Sequence, residues 1–186
     1  TVTYTVSDAA GNAATPVVRT VTVSDSTAPT LTLNGAASVN VEQGTSYIEL
    51  GANASDSVDG DRSAQVVIGG APVNASVAGT YVVTYDVSDS AGNAAAPLSR
   101  TVIVADTIAP VITLTGLGNI AHEQGSNYAD AGATASDAVD GDLTASLVVN
   151  SGVDNLNAGV YTVTYTVSDA AGNAATPVVR TVTVSD

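Results

Sequence analysis

A block of about eighty residues occurs twice in this chain, and that repetition constrains the fold more than any local pattern. From Asp25 to Asp106 the order is D-S-T-A-P, E-Q-G, D-S-V-D-G-D, A-G-T-Y-V-V-T-Y, S-D-S-A-G-N and R-T-V-I-V-A-D. From Asp106 to Asp186 it returns as D-T-I-A-P, E-Q-G, D-A-V-D-G-D, A-G-V-Y-T-V-T-Y, S-D-A-A-G-N and R-T-V-T-V-S-D. The offset is 81 residues up to Val67/Val148 and 80 from Gly79/Gly159 onward, so one residue is lost in between. Residues 1–25 match 162–186 at all 25 positions but match 82–106 at only 17. The expected organisation is therefore 1–25 as the last two strands of a preceding, truncated repeat, 26–106 as one complete repeat and 107–186 as a second. The chain reads as a window on a longer array of two alternating domain types. An isolated hairpin is marginal in water, so an ordered Thr1–Asp25 needs something over its apolar face.

Within each repeat the apolar pattern has period two. Tyr161, Val163, Tyr165 and Val167 alternate with threonines, and Tyr81, Val83, Tyr85 and Val87 repeat the pattern with Asp86 on the wet face. Such alternation predicts half-buried antiparallel strands. Leu31 and Leu33 alternate with Thr30 and Thr32, as Ile112 and Leu114 do with Thr113 and Thr115. No segment offers helical spacing with caps. Short strands bounded by Gly, Asp, Asn and Pro describe an all-β chain, and eighty residues suit a compact seven-strand sandwich.

Tyr81 and Tyr161 each follow a glycine closely at the start of the penultimate strand, which resembles the tyrosine corner of immunoglobulin-like folds. By that analogy Pro29 and Pro110 open strand A, D-x-x-D-G-D is the B–C loop and S-D-[SA]-A-G-N is the F–G loop. With those motifs the chain resembles the bacterial immunoglobulin-like tandem repeats of large surface adhesins, a type also named from pesticidal crystal proteins. The resemblance covers both complete repeats and the leading fragment. It implies tandem immunoglobulin-like β-sandwiches on short linkers, in an extracellular or cell-surface protein where such modules act as spacers.

Charge narrows the function. Eighteen acidic residues stand against four arginines, for a net charge of -14. That excludes nucleic-acid binding, which needs cations to displace counterions from phosphate, and anionic membrane surfaces for the same reason. No apolar run is long enough to insert in a bilayer. Without cysteine there is no disulfide, thiolate nucleophile or zinc-thiolate site.

Twelve of the fifteen aspartates occupy three recurring places: the repeat boundary (Asp25, Asp106, Asp186), the B–C loop and the start of the F–G loop (Asp8, Asp89, Asp169). In an immunoglobulin-like sandwich these loops share one pole with the start of strand A. Five carboxylates are therefore expected to converge twice: Asp25, Asp56, Asp59, Asp61 and Asp89, then Asp106, Asp137, Asp140, Asp142 and Asp169. Two unit charges about 4 Å apart repel by roughly 4 kcal/mol at an effective dielectric of 20, and a domain holds together by only about 5–15 kcal/mol. The chain contains no lysine to neutralise them. Oxygen-only donors on flexible loops select a hard ion, Ca²⁺ before the geometrically stricter Mg²⁺. The run is not an EF-hand, since the twelfth residue from Asp56 is Val67 rather than Glu. Asp59-Gly60 and Asp140-Gly141 also read simply as turns, and Asn93 and Asn173 as residues that fix the F–G turn.

No enzyme emerges. The single histidine, His122, stands where the first repeat has Val41. One glutamate per E-Q-G motif, Glu42 or Glu123, is not a glycosidase pair. Arg19, Arg100 and Arg180 share one repeated position, where the stem is expected to pack over the sheet. The leading expectation is a calcium-rigidified extracellular spacer or stalk whose partners are the neighbouring repeats, including end-to-end assembly into a filament. The alternative is an adhesin module that grips a glycan or host protein, but the tyrosines recur at shared positions and there is no Trp.

Overall fold

The computed structural model describes residues 1–186 and is almost entirely β. The strands are β1 (Val2–Tyr4) and β2 (Val17–Arg19) in the leading fragment. The first repeat supplies β3 (Thr30–Leu33), β4 (Ser38–Glu42), β5 (Ala52–Asp56), β6 (Gly60–Asp61), β7 (Val67–Gly70), β8 (Gly79–Asp86) and β9 (Leu98–Ala105). The second repeats the series as β10 (Val111–Leu114), β11 (Asn119–Glu123), β12 (Ala133–Asp137), β13 (Gly141–Asp142), β14 (Val148–Ser151), β15 (Gly159–Thr166) and β16 (Val178–Ser185). The only helical pieces are single 3-10 turns at Ser63–Gln65 and Thr144–Ser146.

The chain divides into two compact units. One comprises Thr1–Gly35, Leu50–Gly69 and Thr84–Ser99; the other comprises Ala36–Glu49, Gly70–Val83 and Arg100–Asp186. The division follows packing and falls inside the first repeat, whereas the repeat boundaries follow likeness between copies.

The second unit holds the whole second repeat, a sandwich of seven strands in two sheets. One sheet has the order β10-β12-β13 and the other β11-β16-β15-β14. Alternation decides which side chains face inward: along β15, Val163 and Tyr165 are buried while Thr162 and Thr164 are not. They meet Ile112 and Ala135 from the first sheet and Val182 and Val184 from β16. Each such side chain taken out of water contributes roughly 1.5–3 kcal/mol. The final strand is the spine, paired antiparallel to β15 and parallel to β11, with Ile120 opposite Val182. In the same unit β4 runs parallel to β9 in the matching register.

The first unit holds the sheet β3-β5-β6, with Ala54, Val87 and Ala95 packed against Leu31 and Val66. The tyrosine corner is present in both repeats. Tyr81 donates to the Val77 carbonyl at 2.9 Å and Tyr161 to the Asn157 carbonyl at 3.0 Å.

Candidate metal centre

The D-x-x-D-G-D run is a tight hairpin turn. Ser55 pairs with Asp61 and Asp56 with Gly60, and the second repeat does the same at Ser136/Asp142 and Asp137/Gly141. Gly60 and Gly141 sit at φ 74°, a conformation that disfavours a side chain. The first aspartate of each run organises the turn with one oxygen. Asp56 Oδ1 accepts from the Val58 and Asp59 amides at 2.8 and 2.9 Å, and Asp137 Oδ1 from Val139 and Asp140 at 2.7 and 3.0 Å. The other oxygen of each, Asp56 Oδ2 and Asp137 Oδ2, is buried with no hydrogen-bond partner.

Neighbouring turns are fastened to this one. Asp59 Oδ2 accepts from the Ser90 amide and Asp140 Oδ2 from the Ala170 amide, both at 2.6 Å, which ties the hairpin turn to the F–G loop. Within that loop Asp89 and Asp169 accept from the backbone and side-chain nitrogens of Asn93 and Asn173. The same asparagine amides reach the Asp25 carbonyl at 3.3 Å and the Asp106 carbonyl at 3.2 Å, which draws in the repeat boundary. Asp25 and Asp106 each cap their own short turn, accepting from Thr27 and Ile108.

These ties bring two trios of carboxylates to within 4.8 Å of one another: Asp25, Asp56 and Asp89, and Asp106, Asp137 and Asp140. Asp59 and Asp169 stand beside them through the loop ties just described. Asp61 and Asp142 are engaged elsewhere, accepting from the Ser63 and Thr144 amides at the start of the 3-10 turns. The electrostatics differ from group to group. Burial, joined by the nearby charges of Asp137 and Asp169, pushes the Asp106 carboxyl above its usual range. The amides of Asp140 and Val139 hold Asp137 below it. For Asp89, burial works upward but the hydrogen bonds from Asn93 outweigh it and the carboxyl is lowered.

Three participants were not foreseen as such. Arg62 Nη1 lies 3.8 Å from Asp59, so the first group has a neighbouring cation, while the second repeat has Leu143 at that place. Glu42, at the end of β4, accepts from the Thr107 amide at 2.9 Å and its hydroxyl at 2.6 Å, and comes within hydrogen-bonding reach of the Asp106 carboxyl. The hydrogen bonds from Thr107 lower its pKa. The signal was the fixed recurrence of E-Q-G, which says that the glutamate has a job but not that it meets the next repeat.

The third is a correction. Arg100 and Arg180 do not simply lay their stems over a sheet: each guanidinium is almost completely buried and paired with an acid, Glu49 or Asp130. Arg180 also donates to Tyr165 Oη at 2.9 Å and to the carbonyls of Leu117, Thr115 and Gly132. Glu49 and Asp130 occupy one repeated position, but the change from Glu to Asp hid it. Arg19 has no such acid and stacks over Tyr4 at 5.9 Å. His122 bonds Ser126 and packs against the edge of Tyr128, as an ordinary strand residue does.

A family model described as bacterial surface protein, Ig-like domain, matches residues 31–104 and 112–184. Among curated proteins, hyalin of Strongylocentrotus purpuratus is 36% identical over 98% of this chain and 16% of its own length. An uncharacterized 81.3 kDa protein of Acholeplasma phage L2 is 42% identical over 61% of this chain and 15% of its own. Pesticidal crystal protein Cry22Aa of Bacillus thuringiensis is 29% identical over 80% of this chain and 21% of its own. The chain thus spans roughly a fifth or less of each of these relatives.

Proposed function

Since the chain belongs to the bacterial surface Ig-like domain family, we propose that it is a non-enzymatic spacer of an extracellular surface protein, stiffened by Ca²⁺ at the entrance to each repeat. The observation that carries this reading is the pair of buried, unpartnered oxygens, Asp56 Oδ2 and Asp137 Oδ2, on two residues whose carboxylates each group with two others within 4.8 Å. A buried acceptor without a donor is costly, and among like charges it is costlier. A cation relieves both. The donors are all oxygen, which fits a hard ion.

Asp25, Asp56 and Asp89 would hold one ion and Asp106, Asp137 and Asp140 the other, with Asp59 and Asp169 at their sides. The ion would supply charge neutralisation and cross-linking, not catalysis. Because Asp25 and Asp106 lie on the linkers, an ion there ties the linker to the loops of the repeat that follows. Glu42 works on the same linker from the preceding repeat through Thr107. From Asp25 to Pro29 is four steps, at most about 13–14 Å, which leaves little slack.

The test compares thermal unfolding and radius of gyration in Ca²⁺ and in chelator, for the natural chain and for Asp56→Asn/Asp137→Asn. With Ca²⁺ at a hundred times Kd each site adds about 2.7 kcal/mol. The natural chain should stiffen and melt higher with Ca²⁺, and the double variant should ignore it. Identical melting and dimensions after complete metal removal would sink the reading.

A further inference from the structure

The two candidate centres are built from the same loops but do not carry the same charge. The residue that follows each D-x-x-D-G-D run has one backbone place: its amide donates to the Ala54 carbonyl in the first repeat and to the Ala135 carbonyl in the second, both at 2.9 Å. The side chains diverge there. Leu143 packs against the hydrophobic core of the second repeat. Arg62 turns to the loops instead, donating from Nη2 to the Ser88 carbonyl at 3.0 Å and from Nη1 to Ser90 Oγ at 3.3 Å, with Nη1 3.8 Å from Asp59 Oδ2. Its partner changes with it: Ser90 stands where the second repeat has Ala170, which offers no hydroxyl. The guanidinium and the serine that receives it are thus present together in one repeat and absent together from the other.

The carboxylates differ in step. Asp140 belongs to the trio of the second repeat, with Asp106 and Asp137, whereas its counterpart Asp59 stands outside the trio of Asp25, Asp56 and Asp89. Asp59 has the guanidinium beside it, and with side-chain exposures of 20% and 19% the pair is only partly screened by water. No basic residue occurs in the matching loops of the second repeat, and there Glu42 adds a further acid within reach of Asp106. Ca²⁺ affinity follows the charge that the ligands present and the rigidity of the site. We infer that Arg62 is a built-in counter-charge that weakens Ca²⁺ binding at the first centre, so that the second centre fills at lower Ca²⁺ and the chain stiffens in two steps. The inference rests on the calcium reading and adds to it an order of filling.

Calorimetry with Ca²⁺ alone on the whole chain tests this, each centre being read with the other disabled: Asp137→Asn leaves the first and Asp56→Asn leaves the second. In the Asp137→Asn chain, Arg62→Leu places the second repeat's own residue at this position and should tighten Ca²⁺ at the first centre about tenfold or more, the scale of one unit charge beside a dication. Arg62→Gln, polar but uncharged, should tighten it likewise. Arg62→Lys keeps the charge but loses the planar fork, and should leave the affinity within about threefold of its starting value. In the Asp56→Asn chain, Arg62→Leu should change nothing. Equal affinities at the two centres before Arg62 is altered, no tightening by Arg62→Leu or Arg62→Gln, or the same tightening by Arg62→Lys, would overturn the inference and leave the calcium reading standing. Failure of Ca²⁺ to bind at either centre would overturn both together.

Discussion

Asp130→Ala should be among the most damaging single changes in the second repeat. The side chain of Arg180 is 1% exposed, and Asp130 is its one carboxylate partner. Truncating Asp130 leaves the guanidinium in place and charged, because arginine does not give up its proton in proteins. It also removes the acceptor used by the hydroxyls of Tyr128 and Tyr165. The carbonyls of Thr115, Leu117 and Gly132 still accept, so the group remains hydrogen-bonded but uncompensated. Leaving one member of such a pair alone costs about 3–5 kcal/mol, about a fifth or more of the roughly 5–15 kcal/mol that holds a domain folded. In urea unfolding with a slope near 1.5 kcal/mol/M the second repeat's midpoint should fall by about 2–3 M. Asp130→Leu combined with Arg180→Met removes both charges and should cost far less than Asp130→Ala alone. A loss under about 1 kcal/mol for Asp130→Ala, or a double variant as unstable as the single, would refute the argument.

Two further outcomes follow from the geometry. Asp137→Asn should weaken Ca²⁺ binding by about tenfold or more, whereas Asp142→Ala, which removes a cap from the Thr144 turn, should leave the calorimetric affinity unchanged; equal losses would dissolve the distinction between them. Burial and the neighbouring Asp130 push Tyr165 up to about 12, while at Asp130 the hydrogen bonds from Tyr165, Arg180 and Tyr128 overcome burial and lower its pKa. A raised folded pKa stabilises below the unfolded value and is lost above it; a lowered one stabilises above the unfolded value and is lost below it. Stability from this group should therefore fade above about pH 10 and again below about pH 4, and Tyr165→Phe should reduce the tyrosinate absorbance that develops at the alkaline end of the titration.

Much of the fold was legible because alternation and turn residues are local. Val163, Tyr165 and Val167 announced an inward face through their spacing alone, and Tyr161 announced its corner through the glycine before it. The immunoglobulin-like order also told which loops share a pole, so the carboxylates that gather there could be named. Their division of labour could not. Asp56 caps its own turn with one oxygen and leaves the other buried without a partner, whereas Asp61 caps the Ser63 turn, and nothing in the D-x-x-D-G-D run tells the two apart. Contacts made at long range were hidden for a different reason. Glu42 and Thr107 are 65 residues apart, and Arg180 and Asp130 are 50 apart. No period or motif links such positions until the strands that carry them are paired.

The parallel pairing of β11 with β16 has a consequence for a protein that is pulled. Tension entering at the start of β11 and leaving at the end of β16 drags the two strands past each other along their length. The register from Asn119/Thr181 to Glu123/Ser185 is then loaded in shear, so its hydrogen bonds must yield together instead of unzipping one after another. The seven-residue ladder between β15 and β16 backs the same strand from its other side.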